Sequence, residues 1–192
     1  MPVRTLRDII RHGAEAYGSQ TAFRYKVKKE IVDRTYLDVD RDSMAVSRMV
    51  ESMGMEGKHI ALIGTTTYQW IMSYFGIVGS GSVAVPIDAQ LPADAVCELL
   101  ERADVEMLVF DEIRRDVAEA VKEKCPSVRY ILSMQAEEAA DGVQSLSMLT
   151  ALHAGEYEKE LDGGQLATIL FTSGTTGKSK GVMLSHRNLV DN

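Results

Sequence analysis

From residue 58 onward, short β-rich runs alternate with helical stretches, and this alternation constrains the fold more than any other feature. The runs fall at 59–63, 82–86, 105–110, 128–132 and 167–172. Between them lie helical stretches at 68–78, 92–103 and 113–124, with a weaker one at 146–153, and Pro92 suits a first helical position. Strand, helix, strand in repetition predicts an α/β fold, a doubly wound, mainly parallel sheet with right-handed crossovers and helices on both faces. The runs are apolar throughout rather than alternating, as expected of strands covered on both sides. The polar, acidic segment 135–144 reads as a surface loop.

The first 57 residues have a different rhythm. A helix starts at Thr5, with Asp8 three residues on in a cap-like spacing; Leu6, Ile9, Ile10 and Tyr17 share a face, and Gly18 stops it. Phe23, Tyr25 and Val27 alternate before Lys28, Lys29 and Glu30 turn the chain into 31–36, a small β-hairpin. Val39, Ser43, Val46, Val50 and Met53 then define a second helix that ends at Gly54. The expected organisation is a helix, hairpin and helix in 1–57 packing on a βαβ-repeat subdomain in 58–192, one structural unit overall.

Residues 60–87 carry no charge, long enough on paper to cross a bilayer. Gly64, Gly76, Gly79, Gly81, Pro86, Gln69 and the run Thr65, Thr66, Thr67 divide that stretch into strand, loop, helix and strand instead. The expectation is therefore no transmembrane segment, with peripheral membrane contact left open. Of the ten methionines, those such as Met44, Met49 and Met53 fall at core spacing. Trp70, Tyr74 and Phe75 read as core packing before pocket lining. Cys97 and Cys125, without CxxC spacing or a secretory leader, read as reduced thiols of a cytoplasmic protein.

The net charge of −7 argues against nucleic acid as a partner. Residues 168–192 nevertheless carry Lys178, Lys180 and Arg187 against Asp191 alone, a net of +2 on an otherwise acidic chain. That island suits a compact anion. It surrounds the segment that carries the chemistry: an apolar run ends in Thr172, Ser173, Gly174, Thr175, Thr176, Gly177, Lys178, Ser179, Lys180 and Gly181, and a second apolar run follows at 182–184. Three glycines let the backbone reach positive φ and approach a ligand, so that successive N–H groups can converge. The hydroxyls of Thr172, Ser173, Thr175 and Thr176 add donors without bulk. Lys178 and Lys180 supply mobile positive charge. Together they describe a cradle for nucleotide phosphates. A plain solvated turn would be expected to mix in Asp, Asn and Pro.

A Walker A loop matches only at Gly177, Lys178 and Ser179; its first glycine would fall at Thr172, and its helix should follow directly. Here a strand follows, and a helix fits only from Ser185. Ser185 and His186 read as the opening of that helix; no adjacent carboxylate orients His186 as a base.

At Thr172–Gly181 the chain resembles the AMP-forming acyl-CoA synthetases and related adenylating enzymes. Their signature, [ST]-[ST]-G-[ST]-T-G-x-P-K-G, is met at every position but Ser179, where proline is usual and whose absence loosens the loop. The resemblance extends over TYLDVDRDSMAVSRMVESMGMEGKHIALIG, TYQWIMSYFGIVGSGSVAVPID and LPADAVCELLERADVEMLVFD, so it covers the whole chain. The hairpin and the SGTTGKSKGVMLSHRN ending resemble bacterial long-chain fatty acid ligases most.

The resemblance implies an acid–thiol ligase that joins a carboxylic acid, a fatty acid by this likeness, to ATP and passes the acyl group to coenzyme A. Thr172, Ser173, Gly174, Thr175, Thr176, Gly177, Lys178 and Gly181 would then bind the ATP phosphates, and Lys180 would neutralise the developing pyrophosphate. It also implies that this is the N-terminal portion, inactive alone, with the Mg²⁺ ligands, adenine motif and hinge beyond Asn192. Such a portion is expected to expose apolar surface and self-associate. The rival readings are a non-catalytic nucleotide- or phosphate-binding module and, less favoured, a P-loop NTPase.

Overall fold

A computed structural model describes residues 3–153, 155–172 and 179–192. Its central feature is a seven-stranded sheet in the order β7-β6-β5-β3-β4-β8-β9. Those strands are β3 (His59–Ile63), β4 (Val83–Ile87), β5 (Val105–Phe110), β6 (Tyr130–Ser133), β7 (Gln144–Ser145), β8 (Leu166–Thr172) and β9 (Lys180–Ser185). All neighbouring pairs are parallel except β8 and β9, which run antiparallel.

The crossovers from β3 to β4, β4 to β5 and β5 to β6 run through helices, whereas β6 reaches its parallel neighbour β7 through a non-helical segment. α3 (Tyr68–Gly79) starts at Thr67, whose hydroxyl accepts from the Trp70 N–H. α4 (Ala93–Arg102) follows Pro92, here the N-cap residue one position before the helix proper. A 3₁₀ turn at Glu112–Arg114 leads into α5 (Arg115–Lys124), so the stretch expected from residue 113 begins as a tighter helix capped by Asp111. α6 (Leu146–Leu152) follows β7 directly. β7 was not legible in advance: two residues carry no periodicity, and the segment read as loop closes on it through the Ala140–Val143 bridge, with Val143 buried.

Two apolar layers sandwich the sheet. Ala61, Ile63, Val85, Leu108 and Phe110 join α4 and α5 on one side through Val96, Leu100, Val117 and Val121. Ile60, Leu62, Ala84, Met107 and Val109 join Val46, Met49, Val50, Ile77 and Val78 on the other. Each fully buried aliphatic side chain contributes about 1.5–3 kcal/mol over an exposed one. Cys97 and Cys125 are free and buried beside one another at the α4–α5 layer, and burial pushes the Cys125 thiol up to about 12. Met148 and Met183 depart from core spacing and stand in solvent. Among the described residues no helix is long and apolar enough to cross a membrane.

The N-terminal elements are α1 (Leu6–Tyr17), the antiparallel hairpin β1 (Thr21–Val27) and β2 (Glu30–Thr35), and α2 (Tyr36–Ser52). Thr5 with Asp8, and Thr35 with Asp38, form reciprocal capping boxes; the second sets the start of α2 before its first apolar residue. Lys28 takes φ 55° in the hairpin turn. α2 lies against α3 at very short range because Gly76 has no side chain. A Cβ there would stand 2.3 Å from Val46 Cβ and 2.8 Å from the Ser43 carbonyl. The Ser47 hydroxyl uses that closeness to donate to the Gly76 carbonyl at 2.8 Å. Gly76→Ala is expected to push the two helices apart and cost about 2 kcal/mol, roughly 4–8 °C in Tm. Calorimetry showing an unchanged Tm would contradict this packing.

Candidate phosphate-binding site

β8 runs parallel beside β4, paired through Ala84 and Thr168, and ends at Thr172. The chain returns as β9 with Thr172 opposite Lys180 and Phe171 opposite Gly181. The glycine- and hydroxyl-rich link therefore leaves from the carboxyl end of a parallel strand, where open α/β sheets bind ligands. Ser173, Gly174, Thr175, Thr176, Gly177 and Lys178 lie outside the described residues. Thr172, Lys180 and Gly181 are described, and the sheet brings the first two together as an exposed cross-strand pair at the mouth of the loop.

Gly181 departs from the backbone conformation expected of it. Its φ is not positive, and it sits in β9 as an ordinary strand residue. An added Cβ would meet Ile169 Cγ2 at 3.2 Å and the Phe171 ring at 3.5 Å. The missing side chain leaves room for Ile169 across the strand pair rather than for a positive-φ turn.

Other side chains fix β8 and β9. Tyr74 on α3 stacks on Trp70 with ring centroids 5.8 Å apart, and its hydroxyl lies 2.9 Å from the hydroxyl of buried Thr168. The aromatic group of α3 is thus packing with one polar handle, and burial pushes the Tyr74 phenol up. At the base of the loop, Arg102 at the end of α4 donates from Nη2 to the Ser179 carbonyl at 2.8 Å, and its guanidinium carbon lies 5.7 Å from the Phe171 ring centroid. Sequence spacing gave no sign of Arg102, since 77 positions separate it from its hydrogen-bond partner.

At the far end of β9, Ser185 caps α7 (His186–Val190) through a capping box with Asn188. His186 opens that helix and is fully buried. Its backbone N–H donates to the Gln165 carbonyl at 3.1 Å, while Nδ1 accepts from the Leu6 N–H at 3.3 Å. That N–H is one of the groups a helix start leaves unpaired, so a residue at position 186 completes α1. A neutral imidazole with its proton on Nε2 is required. Burial pushes the His186 pKa down and Asp8 opposes this. Six positions separate His186 from Lys180, roughly 20 Å, which sets it at the opposite end of β9 from Thr172 and Lys180.

The depressed His186 pKa means that the unfolded chain binds a proton more readily. Its contribution to stability is present above the ordinary histidine value and is lost as pH falls below it. Urea midpoints measured between pH 5 and 8 are expected to rise with pH. His186→Asn, whose Oδ1 stands in for Nδ1, should flatten that slope while holding α1. His186→Leu should cost about 1–3 kcal/mol by orphaning the Leu6 N–H. Equal slopes in the wild type and His186→Asn would refute the assignment.

Among the described residues no group of three or more His, Cys, Asp or Glu stands where it could hold a metal ion.

The arrangement has known counterparts. A sequence profile described as AMP-binding enzyme matches residues 10–192. Crotonobetaine/carnitine–CoA ligase of Salmonella paratyphi A is 30% identical over 184 residues, covering 92% of this chain and 35% of that protein. Its namesake from Escherichia coli O17:K52:H18 is 28% identical over 188 residues, with the same coverage of 92% and 35%. Among solved structures, the anthranilate CoA ligase AuaEII bound to anthranoyl-AMP superposes with a TM-score of 0.87 at 20% identity, over 97% of this chain and 36% of that one. A Mycobacterium tuberculosis fatty acyl CoA synthetase gives 0.82 at 20% identity, over 95% and 35%. These two structural likenesses establish the fold. The chain spans about a third of the length of the curated relatives it matches.

Proposed function

This chain belongs to the AMP-binding enzyme family, and we propose that it is the phosphate-gripping portion of an AMP-forming acid–CoA ligase. The observation that carries the reading is the Thr172–Lys180 pair, which closes a link rich in glycine and hydroxyls at the carboxyl end of a parallel strand. In the reaction, a substrate carboxylate oxygen attacks the α-phosphorus of ATP in line. The bond from that phosphorus to the bridging oxygen breaks, and pyrophosphate leaves. The thiol of coenzyme A then displaces AMP from the acyl adenylate, giving the thioester.

The protein's share of the first step is alignment and charge stabilisation. Thr172, Ser173, Gly174, Thr175, Thr176 and Gly177 wrap the phosphates, with Gly181 setting the packing at the base. Lys180 neutralises the pyrophosphate as its charge develops, and Lys178 adds positive charge at the loop. Residues 1–57 buttress residues 58–192 as one unit. The Leu6–His186 and Ser47–Gly76 hydrogen bonds, which cross between the two segments, support their being one unit.

The substrate is a carboxylic acid. A fatty acid is the finer reading, supported by the likeness of the hairpin and of the SGTTGKSKGVMLSHRN ending to fatty acid ligases. Relatives named for crotonobetaine and carnitine make short, charged acids the comparison to include. This chain alone is expected to bind ATP weakly, since ordering the loop offsets its phosphate contacts.

The test is carboxylate-dependent exchange of labelled pyrophosphate into ATP by the complete ligase, over a panel from carnitine-like to long-chain acids. Lys180→Ala should lower exchange by about 10²–10³-fold, the usual effect of removing one donor to developing charge. Normal exchange in that variant would end the assigned role. Nucleotide binding without exchange would favour the non-catalytic module, and phosphate release independent of any acid would favour an NTPase.

Leu170, Val182 and Met183 are exposed on β8 and β9, with β9 at the sheet edge. They are the proposed route by which this chain self-associates. Light scattering should show Met183→Lys reducing association; a wild-type chain that stays monomeric at high concentration would contradict it.

A further inference from the structure

Arg102 holds a place that no loop signature describes. It is the last residue of α4 and is exposed, a position where any cation gains a little from the helix dipole. Its contacts are more specific than that. Nη2 donates to the carbonyl of Ser179 at 2.8 Å, the residue just before Lys180, and the guanidinium lies 5.7 Å from the ring of Phe171, the residue just before Thr172. One planar group thereby touches both arms of the loop at the point where it opens. Among the described residues no carboxylate is within ion-pairing distance of Arg102.

The residue it grips is the one at which the chain departs from its family signature. Ser179 stands where proline would fix the backbone φ near −65° and shrink the set of open conformations. We propose that Arg102 is a positioning residue for the phosphate loop, tying the Ser179 carbonyl to the Phe171 ring and supplying from another helix the rigidity that Ser179 lacks. Held in this way, Thr172 and Lys180 keep the spacing in which they meet phosphate, and less ordering remains to be done when ATP arrives. Lysine cannot substitute, because it has neither a planar face for the ring nor a fork of fixed donors. The inference rests on the loop being a phosphate cradle, whereas the clamp is measurable without any ligand.

Amide hydrogen exchange on this chain reads the clamp directly. Arg102→Ala and Arg102→Lys are both expected to speed exchange at 171–172 and 179–182 by about tenfold, the equivalent of ~1.4 kcal/mol. Exchange in β3, β4 and β5 should be unaltered, and the Tm nearly so. Adding Ser179→Pro to either variant, which removes the N–H at 179, should restore most of the protection at 171–172 and 180–182. In the complete ligase, Arg102→Ala should raise KM for ATP by about tenfold in pyrophosphate exchange and leave kcat nearly unchanged. Exchange at the wild-type rate in Arg102→Ala overturns the proposal. So does protection retained in Arg102→Lys, which would leave charge at the helix end as the whole effect. A wild-type ligase without pyrophosphate exchange, in which the amides still respond as expected, would remove the phosphate reading and leave the clamp standing.

Discussion

Ile60, Ala61, Leu62 and Ile63 have no solvent exposure, and they alternate between the two faces of the sheet. A strand buried on both faces must have helices on both, and helices reach both faces only through crossovers between parallel neighbours. The rest of the architecture follows from covering that strand: α4 and α5 on one side, α2 and α3 on the other, and the returning turns gathered at the strands' carboxyl ends. The glycine- and hydroxyl-rich link leaves the sheet where it does because β8 joins next to β4 and in the same direction.

What β8 does after Thr172 distinguishes this site from a Walker loop. Among the described residues the next element is a strand, β9, and it sets Thr172 and Lys180 face to face as an exposed pair, where a Walker loop has a helix. A hairpin at a sheet edge is less confined than a loop between buried elements, which places weight on whatever braces it. Tyr74 at Thr168 and Arg102 at Ser179 and Phe171 are the contacts that hold it.

The N-terminal segment also braces the hairpin, from its other end. His186 receives the Leu6 N–H, so the first helix of the chain is completed by a residue near its last. A histidine beside a glycine-rich loop invites a reading as a base. Burial, a neutral ring and a backbone donor at Nδ1 describe a structural acceptor.

Much was legible from residue order alone. The boundaries of β3 and β5 match the apolar runs residue for residue, and the Thr5–Asp8 cap and the Gly18 stop were readable because caps are local. The make-up of the loop, and the strand that follows it, were equally plain, since glycine, hydroxyl and lysine preferences act within a few positions. Other features were hidden. β7 is too short to show a period; Gly181 looked like a positive-φ glycine when it is a packing glycine; and Leu6 with His186, Gly76 with Val46 and Arg102 with Ser179 are neighbours only in space. The sequence by itself therefore determined the sheet, its helices and the chemical character of the loop, because those depend on periodicity and local backbone preference. Tertiary structure alone decided what braces the loop and which glycines are crowded, because those depend on distances between segments that the order of residues does not encode.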